Sequence, residues 1–295
     1  MVKSICLVGC GLLSVALLGQ VKKQFSVEEK EKCDRVDLCI KAKTGNCFIK
    51  PSQNAEILNV YSNQDLEGYA HTLTNIVKNK ICQVNLALKQ ELNKGVGEKI
   101  SYQVMGNDVA SVTDKFWKIY LTESKPYNLD LNYGLGNANV DLSGLSIQKL
   151  KIKTGSADVN IGYMQGLENK VDMDTFFVKV DMGSLTAKNI CLSRSKVVMA
   201  DVGFGNLLLD FSDKPLRRYD VKGSVGAGNM TILLPGEDVP VIVKISESWL
   251  CSVQLSNGLK KIGPNTFANA AYKKSPKESI TFDLDVSMGK ILFKE

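Results

Sequence analysis

The sequence is short of the residues on which most enzymes depend. One histidine, His71, occurs in 295 residues, and histidine is the usual general base and the commonest metal ligand. A single copy in a segment of ordinary composition supports neither role. No Cys-x-x-Cys pair occurs, which removes redox-motif and zinc-knuckle chemistry. No serine sits in a glycine elbow, so a Ser-His-Asp nucleophile has no setting. The longest apolar run, Ile5 to Leu18, is 14 residues, short of the ~20 that a membrane-spanning helix needs. Basic residues come as scattered pairs, Arg217-Arg218, Lys260-Lys261 and Lys273-Lys274, alternating with acids. A nucleic-acid face needs a concentrated stripe, so no nucleic-acid partner is expected.

What is present is an ordinary globular composition, 44% hydrophobic and 23% charged, enough for a real core and against disorder. The start reads as a secretory signal, residues 1–19. Lys3 forms the positive region, Ile5 to Leu18 the apolar one, and Gly19-Gln20 the cleavage point. Removing it takes one lysine and lowers the formal charge from +6 to +5. The mature chain then has no transmembrane span and is exported, to the periplasm or the cell surface. Leu7-Val8-Gly9-Cys10 offers the alternative of a lipobox with a lipid-modified Cys10, although apolar residues continue for eight positions beyond it. Six cysteines remain: Cys33, Cys39, Cys47, Cys82, Cys191 and Cys251. An even number in a secreted chain permits disulfides, but a chain of this size does not need them, and buried free thiols are expected. Aligning Lys43-Thr44-Gly45 with Lys153-Thr154-Gly155 puts Cys39 and Cys47 on opposite faces, where they cannot bridge.

The dominant feature is a phrase stated three times. Gly134-Leu-Gly-Asn-Ala-Asn-Val-Asp-Leu142 returns as Gly203-Phe-Gly-Asn-Leu-Leu-Leu-Asp-Phe211 and as Gly226-Ala-Gly-Asn-Met-Thr-Ile-Leu-Leu234. Looser copies begin at Thr154-Gly155 and Met182-Gly183. The glycines at 136, 155, 183, 205 and 228 are 19, 28, 22 and 23 residues apart. A period near twenty is the mark of stacked repeats, in which no single repeat buries its own apolar face. Leu150-Lys-Ile-Lys-Thr-Gly-Ser-Ala-Asp-Val-Asn-Ile161 shows the unit: strand, Thr-Gly corner, strand. Leu150, Ile152, Val159 and Ile161 point inward, while Lys149, Lys151, Lys153, Asn139 and Asn160 are outward polar positions expected to make one flat, regular face suited to a repetitive or extended partner. Gly136, Gly155, Gly205 and Gly228 are expected at corners where positive φ is needed. Asn137, Asn206 and Asn229 follow, placed to bond turn backbone.

Residues 20–125 read as a smaller β-rich, α+β region. Val36 to Ile49 resembles a repeat. Gln64 to Lys80 carries Leu66, Tyr69, Leu73, Ile76 and Val77 at spacings that suit an amphipathic helix over 64–80, or equally a loop and strand. From Ile81 the period becomes two. Cys82 to Leu88, Ile100 to Val104 (after a turn at 93–97) and Trp117 to Leu121 read as half-buried antiparallel strands. Pro126 marks the boundary to the repeat domain, 126–295. The final run, Ile280 to Val286 and Met288 to Phe293, is expected to cover the end of the stack.

Several motifs tempt and fail. Gly134-Leu-Gly136 lacks the third glycine of a dinucleotide loop, with Asn139 in its place, and a strand follows instead of a helix. Asp130, Asp141, Asp158, Asp172, Asp174, Asp181, Asp201 and Asp210 recur beside the repeats but hold no fixed place in them, unlike a calcium-binding ladder. No catalytic, cofactor-binding or metal residue is assigned, and no cofactor is expected.

At Asp130 to Ile161 and Gly226 to Leu234 the chain resembles the bacterial toast-rack and adhesin-like (cell-wall-stress-response-like) β-repeat families. Leu150 to Val159 is the most specific match, and the segment from Pro240 to Phe293 resembles their closing strands. The resemblance is clear over 127–295 and faint over 33–125. It implies a stacked β-architecture at the cell envelope with a binding or scaffolding role, and it transfers no catalytic residues. The six cysteines and the N-terminal segment depart from the family pattern. The expectation is a mainly β protein: a right-handed, β-solenoid-like repeat domain behind a smaller β-rich region. Its role is envelope-facing binding, adhesin-like or structural, toward an envelope protein or polysaccharide. The competing expectation is a carbohydrate-active solenoid enzyme, a lyase or hydrolase, which would need clustered acids in a long cleft.

Overall fold

The computed structural model describes residues 21–29, 31–63, 71–88, 116–276 and 279–295, in which strands dominate. The first are β1 (Lys22–Val27), β2 (Arg35–Ser52), β3 (Leu58–Ser62), β4 (His71–Lys78), β5 (Ile81–Leu88), β6 (Phe116–Thr122) and β7 (Pro126–Asp141). Strands then come in pairs around a corner. These are β8 (Ser146–Thr154) and β9 (Asp158–Gly162), β10 (Met173–Val180) and β11 (Ser184–Lys188), and β12 (Ser195–Val202) and β13 (Asn206–Asp210). They continue with β14 (Tyr219–Val225) and β15 (Asn229–Leu233), then β16 (Val241–Glu247) and β17 (Ser252–Gln254). A hairpin of β18 (Lys260–Gly263) and β19 (Thr266–Ala268) follows, with a short helix α1 (Ala270–Lys274) and a last pair, β20 (Ile280–Val286) and β21 (Lys290–Lys294).

Each pair is one rung of a stack, with one strand in each of two faces. Face A runs β2–β7–β8–β10–β12–β14–β20–β16, every neighbour parallel. Face B runs through the second halves of β2 and β7 and then β9–β11–β13–β15–β21–β17, again parallel. Strands β2 and β7 are long enough to turn the corner and serve both faces. Alternation along each strand sends one set of side chains between the faces. Leu150, Ile152, Val159 and Ile161 are buried there as expected, in one cluster that reaches from Val27 to Phe293. Near one end the aromatics pack edge to face, Phe282 lying 5.5 Å from Phe211 and 5.8 Å from Phe293, geometry that adds to their area burial.

The corners explain the glycine motif, in two columns. The first column is Gly134, Gly155, Asp181, Gly203, Gly226 and Ser287, and from Gly155 on each amide bonds a carbonyl of the rung before. The second is Gly45, Gly136, Ala157, Gly183, Gly205, Gly228 and Gly289, set by the ladder register on either side. Gly155 therefore belongs to the first column, and Ala157 takes the second-column place in its rung. The alignment of Gly45 with Gly155 shifts by two residues, which leaves inside and outside unchanged. Positive φ is confined to the start of the second column, at Gly45 (+99°) and Gly136 (+111°). Farther along, the requirement is close approach. A Cβ on Gly205 would lie 2.2 Å from Gly183 O, and one on Gly228 would lie 2.3 Å from Gly205 O. Corner strain of the kind expected at Gly205 and Gly228 is replaced by contact with the rung before, and Gly155, in the first column, has neither, its Cβ position lying 3.1 Å from Gly134 O.

At both ends chain order departs from spatial order. Strands β5 and β6 form the outermost N-terminal rung, parallel to β2, so the chain passes β2 before building the rung outside it. Antiparallel strands then cover this rung, β4 on β5 and β3 on β6, with β1 on β3. Alternation in Cys82–Leu88 and Trp117–Leu121 gives half-buried strands as expected, but each has a parallel partner as well as an antiparallel one. At the other end β20 and β21 insert between β14/β15 and β16/β17. The final run is therefore an internal rung; the β18–β19 hairpin covers β16 instead.

Two further expectations are corrected. Residues 71–78 of the helix expected over 64–80 are strand β4, hydrogen-bonded to β5 throughout; β-branched Thr, Ile and Val favour that surface. Residues 64–70, the signal at 1–19, the turn at 93–97 and the strand at 100–104 lie outside the described residues. Cys33 and Cys82 are disulfide-bonded, with Cα atoms 5.7 Å apart, although free thiols were expected. The parallel pairing of β2 with β5 puts Val36 opposite Cys82 and so carries Cys33 to its partner. Cys39, Cys47, Cys191 and Cys251 are free. Strand β2 stacks on β7 across the expected boundary at Pro126, from Val36 to Ile49.

Candidate binding faces

Side chains that point away from the core form columns, because parallel in-register strands place equivalent positions one above another at about 4.8 Å. Next to the corner on face B the column is Asn46, Asn137, Asp158, Ser184, Asn206 and Asn229. Its polar groups bond along the stack. Asn137 Nδ2 donates to Asn46 Oδ1 at 3.1 Å, Ser184 Oγ to Asp158 Oδ1 at 2.5 Å, and Asn229 Nδ2 to Asn206 Oδ1 at 2.8 Å. The motif asparagines thus tie rung to rung, whereas bonds to turn backbone were expected. Two residues on, Asn139, Asn160 and Thr186 form a second column.

Beyond that column the face dips. Gly162 lies there, packed against the next rung so closely that a Cβ would lie 2.3 Å from Lys188 O. An open groove of about 240 Å³ runs beside it, lined by Asn139, Asn160, Asp141, Lys50, Lys188 and the exposed Met164, among others. It is smaller and more open than sites that enclose a small molecule, typically ~300–1,000 Å³. Its lining offers amides, two ammonium groups and one carboxylate to an extended chain lying across it. Lys149, Lys151 and Lys153 occupy face A, on β8, so the structure does not join them with Asn139 and Asn160 in one surface.

The recurring acids are dispersed, each with a partner. On face A, Lys151 reaches Asp130 at 3.0 Å, and Lys179 lies 3.5 Å from Asp201 and 3.7 Å from Asp181. Asp141 and Asp210 accept amide bonds from Ser143 and Ser212. Asp172 joins Arg194 (2.9 Å) and Arg217 (3.1 Å), and Asp174 joins Lys196 at 2.8 Å. Hydrogen bonds from Arg194 and from Lys196 hold Asp172 and Asp174, respectively, below the ordinary aspartate range. A glycosidase acid needs the opposite shift. Among the described residues no three His, Cys, Asp or Glu side chains converge on a metal position. Burial pushes the thiols of Cys47 and Cys191 up to about 12, away from the reactive thiolate. His71 stacks on Phe25, ring centroids 4.9 Å apart. No helix among the described residues is long and apolar enough to cross a membrane.

The structure is that of a stacked β-repeat protein with two ladder faces. The family profile described as the N-terminal domain of toast_rack (DUF2154) matches residues 18–183, and the chain belongs to the toast-rack family. The match takes in the N-terminal strands, where the sequence resemblance is faint, and stops at the corner of β10 and β11. No curated protein matches the sequence. Among solved structures, a proposed cell adhesion protein from Clostridium sporogenes is similar at 18% identity and a TM-score of 0.42, over 93% of this chain and 99% of the other. A proposed adhesin from Bacteroides fragilis shows 12% identity and a TM-score of 0.34 over 93% and 97%. A proposed lipid-binding protein from Parabacteroides distasonis shows 11% and 0.36 over 94% and 96%.

Proposed function

We propose that the mature protein is exported and faces the cell envelope, where face B binds an extended partner, an envelope polysaccharide or protein, without catalysing a reaction. The carrying observation is the pair of amide and hydroxyl columns beside the Gly162 groove. They repeat donors and acceptors at rung spacing on a surface made rigid by the parallel ladders. A partner with regularly repeated polar groups matches such a surface, as for other repeat proteins. The Cys33–Cys82 bond supports export, since disulfides persist in oxidising compartments. Dispersal of the carboxylates over both faces and the connecting loops supports a non-enzymatic role.

Binding of the purified mature protein to immobilised envelope polysaccharides and envelope proteins tests the reading. Asn160→Arg, which puts a bulky charge on the groove wall, should weaken binding about tenfold or more, the loss of one well-placed polar contact plus a steric block. Unchanged binding would remove face B from the account. Turnover of a polysaccharide that is abolished by changing two neighbouring acids to amides would establish the enzyme. Intact mass of the exported protein should begin at Gln20; a mass retaining residues 1–19 contradicts cleavage, and a lipid on Cys10 identifies the lipobox.

A further inference from the structure

Between the two glycine columns, each rung exposes one residue at the tip of the corner. Hydrogen bonds from rung to rung align Leu135, Ser156, Met182, Phe204, Ala227 and Met288. The outermost rung adds Trp249 and Leu250 between Ser248, bonded to Val286 O, and Ser252, bonded to Gly289 O. None of these is charged. Phe204 is 75% exposed, Met182 68% and Trp249 90%. Seven rungs make a ridge about 30 Å long at ~4.8 Å per step. An uncharged ridge of this length, apolar at every rung but that of Ser156, is uncommon on a monomer surface.

We infer that this ridge is the contact between two copies of the chain, antiparallel and related by a two-fold axis through Phe204. Across such an axis the small tips, Ser156 and Ala227, stand opposite large ones. With Phe204 on Phe204 of the second copy, Met182 meets Ala227, Met288 meets Ser156, and Leu135 meets Leu250. The flanks agree. Lys153 and Asp285 lie on the face A side two and two rungs from Phe204, and Asp158 and Lys290 do so on the face B side. The same axis brings Lys153 to Asp285 and Asp158 to Lys290. Asp201 meets its own copy but is already neutralised by Lys179 at 3.5 Å. An in-register parallel pair would set Met182 on Met182 and Met288 on Met288, leaving gaps at Ser156 and Ala227. A membrane is disfavoured because Asp158, Asp181, Asp201 and Asp285 along the ridge offset Lys153, Lys179 and Lys290, which leaves no basic excess to hold anionic headgroups.

The contact is isologous, as closed dimers require. Its width, from Asn132 round the corner to Asn137, is at most about 16 Å at ~3.3 Å per residue. Each copy then buries up to roughly 500 Å², the low end for a specific interface, which implies a dimer that dissociates on dilution in the micromolar range. The axis keeps both B faces on one side of the pair. The inference stands independently of what face B binds.

Sedimentation equilibrium of the mature protein from about 1 to 200 μM measures the association. The wild type should pass from monomer to dimer. Phe204→Asp, which places two carboxylates on the axis at an exposed position, should weaken association at least a hundredfold with an unchanged melting midpoint. Lys290→Glu should weaken it several-fold, and Asp158→Lys combined with Lys290→Glu should restore it, because the two swapped charges face each other only in the antiparallel pair. A wild type that stays monomeric, a dimer indifferent to Phe204→Asp, or a double variant weaker than the single one would overturn the proposal. So would a monomer that binds zwitterionic phosphatidylcholine vesicles through Phe204, which would assign the ridge to a lipid surface.

Discussion

The two edges of the stack are built on opposite principles. At the glycine edge the chain turns within a rung, and at Gly183, Gly205, Gly228 and Gly289 successive rungs approach so closely that a Cβ is excluded. At the connecting edge it passes from one rung to the next, and side chains hold the loops. There buried Asn169 donates to Ile147 O and Val171 O and accepts from Ile147 N. Asn269 does the same work for Val239 and Val241 while capping α1 through Tyr272 N, and Tyr219 OH donates to Cys191 O at 2.6 Å. Arg194 and Arg217 clasp Asp172 outside. One edge is specified by absent atoms and the other by hydrogen bonds, so they should fail differently when altered.

The largest effect is expected at the glycine edge. Gly205→Val would place Cβ 2.2 Å from Gly183 O and 2.6 Å from Val180 Cγ1. The rungs must separate, at a cost of about 3–4 kcal/mol, the upper range for overpacking. Urea unfolding reads it as a lowered midpoint, and a wild-type midpoint would mean that the rungs are farther apart than described. Next comes Asn169→Ala at the connecting edge. It orphans the three backbone groups that the amide satisfies, costing about 2–3 kcal/mol. Amide exchange should accelerate around Ile147 and Val171 and little elsewhere; a uniform acceleration would deny the loop its separate hold.

The smallest effect sharpens the outer part of the connecting edge. Hydrogen bonding from Arg194, with Arg217 adding charge, keeps Asp172 below its ordinary value. A carboxylate depressed in the folded state contributes fully above its unfolded pKa and loses that contribution as pH falls through the folded one. Asp172 is solvent-exposed, so the contribution is small. Its carboxyl titration by NMR should lie below that of an unpaired aspartate and move up in Arg194→Gln. No movement would leave the ion pair without energetic weight.

Much of the glycine edge was legible in the sequence because its rule is local: glycines at fixed offsets between alternating strands identify corners wherever they occur. The two columns were harder to separate. Gly155 reads as the partner of Gly136 until the ladder shows Ala157 in that place, with Thr154 Oγ1 bonded to Ala157 O at 2.8 Å. Strand order at the ends was not legible, because insertion of β20 between β14 and β16 leaves no mark on any one strand's alternation. The Cys33–Cys82 bond depends on the same kind of distant parallel pairing. Strand β4 misled because Leu73, Ile76 and Val77 fit a helical stripe, while only Leu73 and Val77 pack on the core and Ile76 is exposed. The binding faces were visible as outward polar positions, but which of them share a face depends on where each strand falls around the corner.

The claim that close approach, and not backbone conformation, demands glycine in the second column can be tested within one motif. Gly226 and Gly228 are two residues apart, and neither has a positive φ. A Cβ on Gly226 comes no nearer than 3.1 Å to any atom, Gly203 O, which a slight shift relieves; on Gly228 it would lie 2.3 Å from Gly205 O and 2.8 Å from Val202 Cγ1. Urea unfolding of Gly226→Ala and Gly228→Ala side by side should show a change under about 1 kcal/mol for the first and a loss of about 2–3 kcal/mol for the second. Equal losses, or a larger loss at Gly226, would contradict the two-column account of the stack.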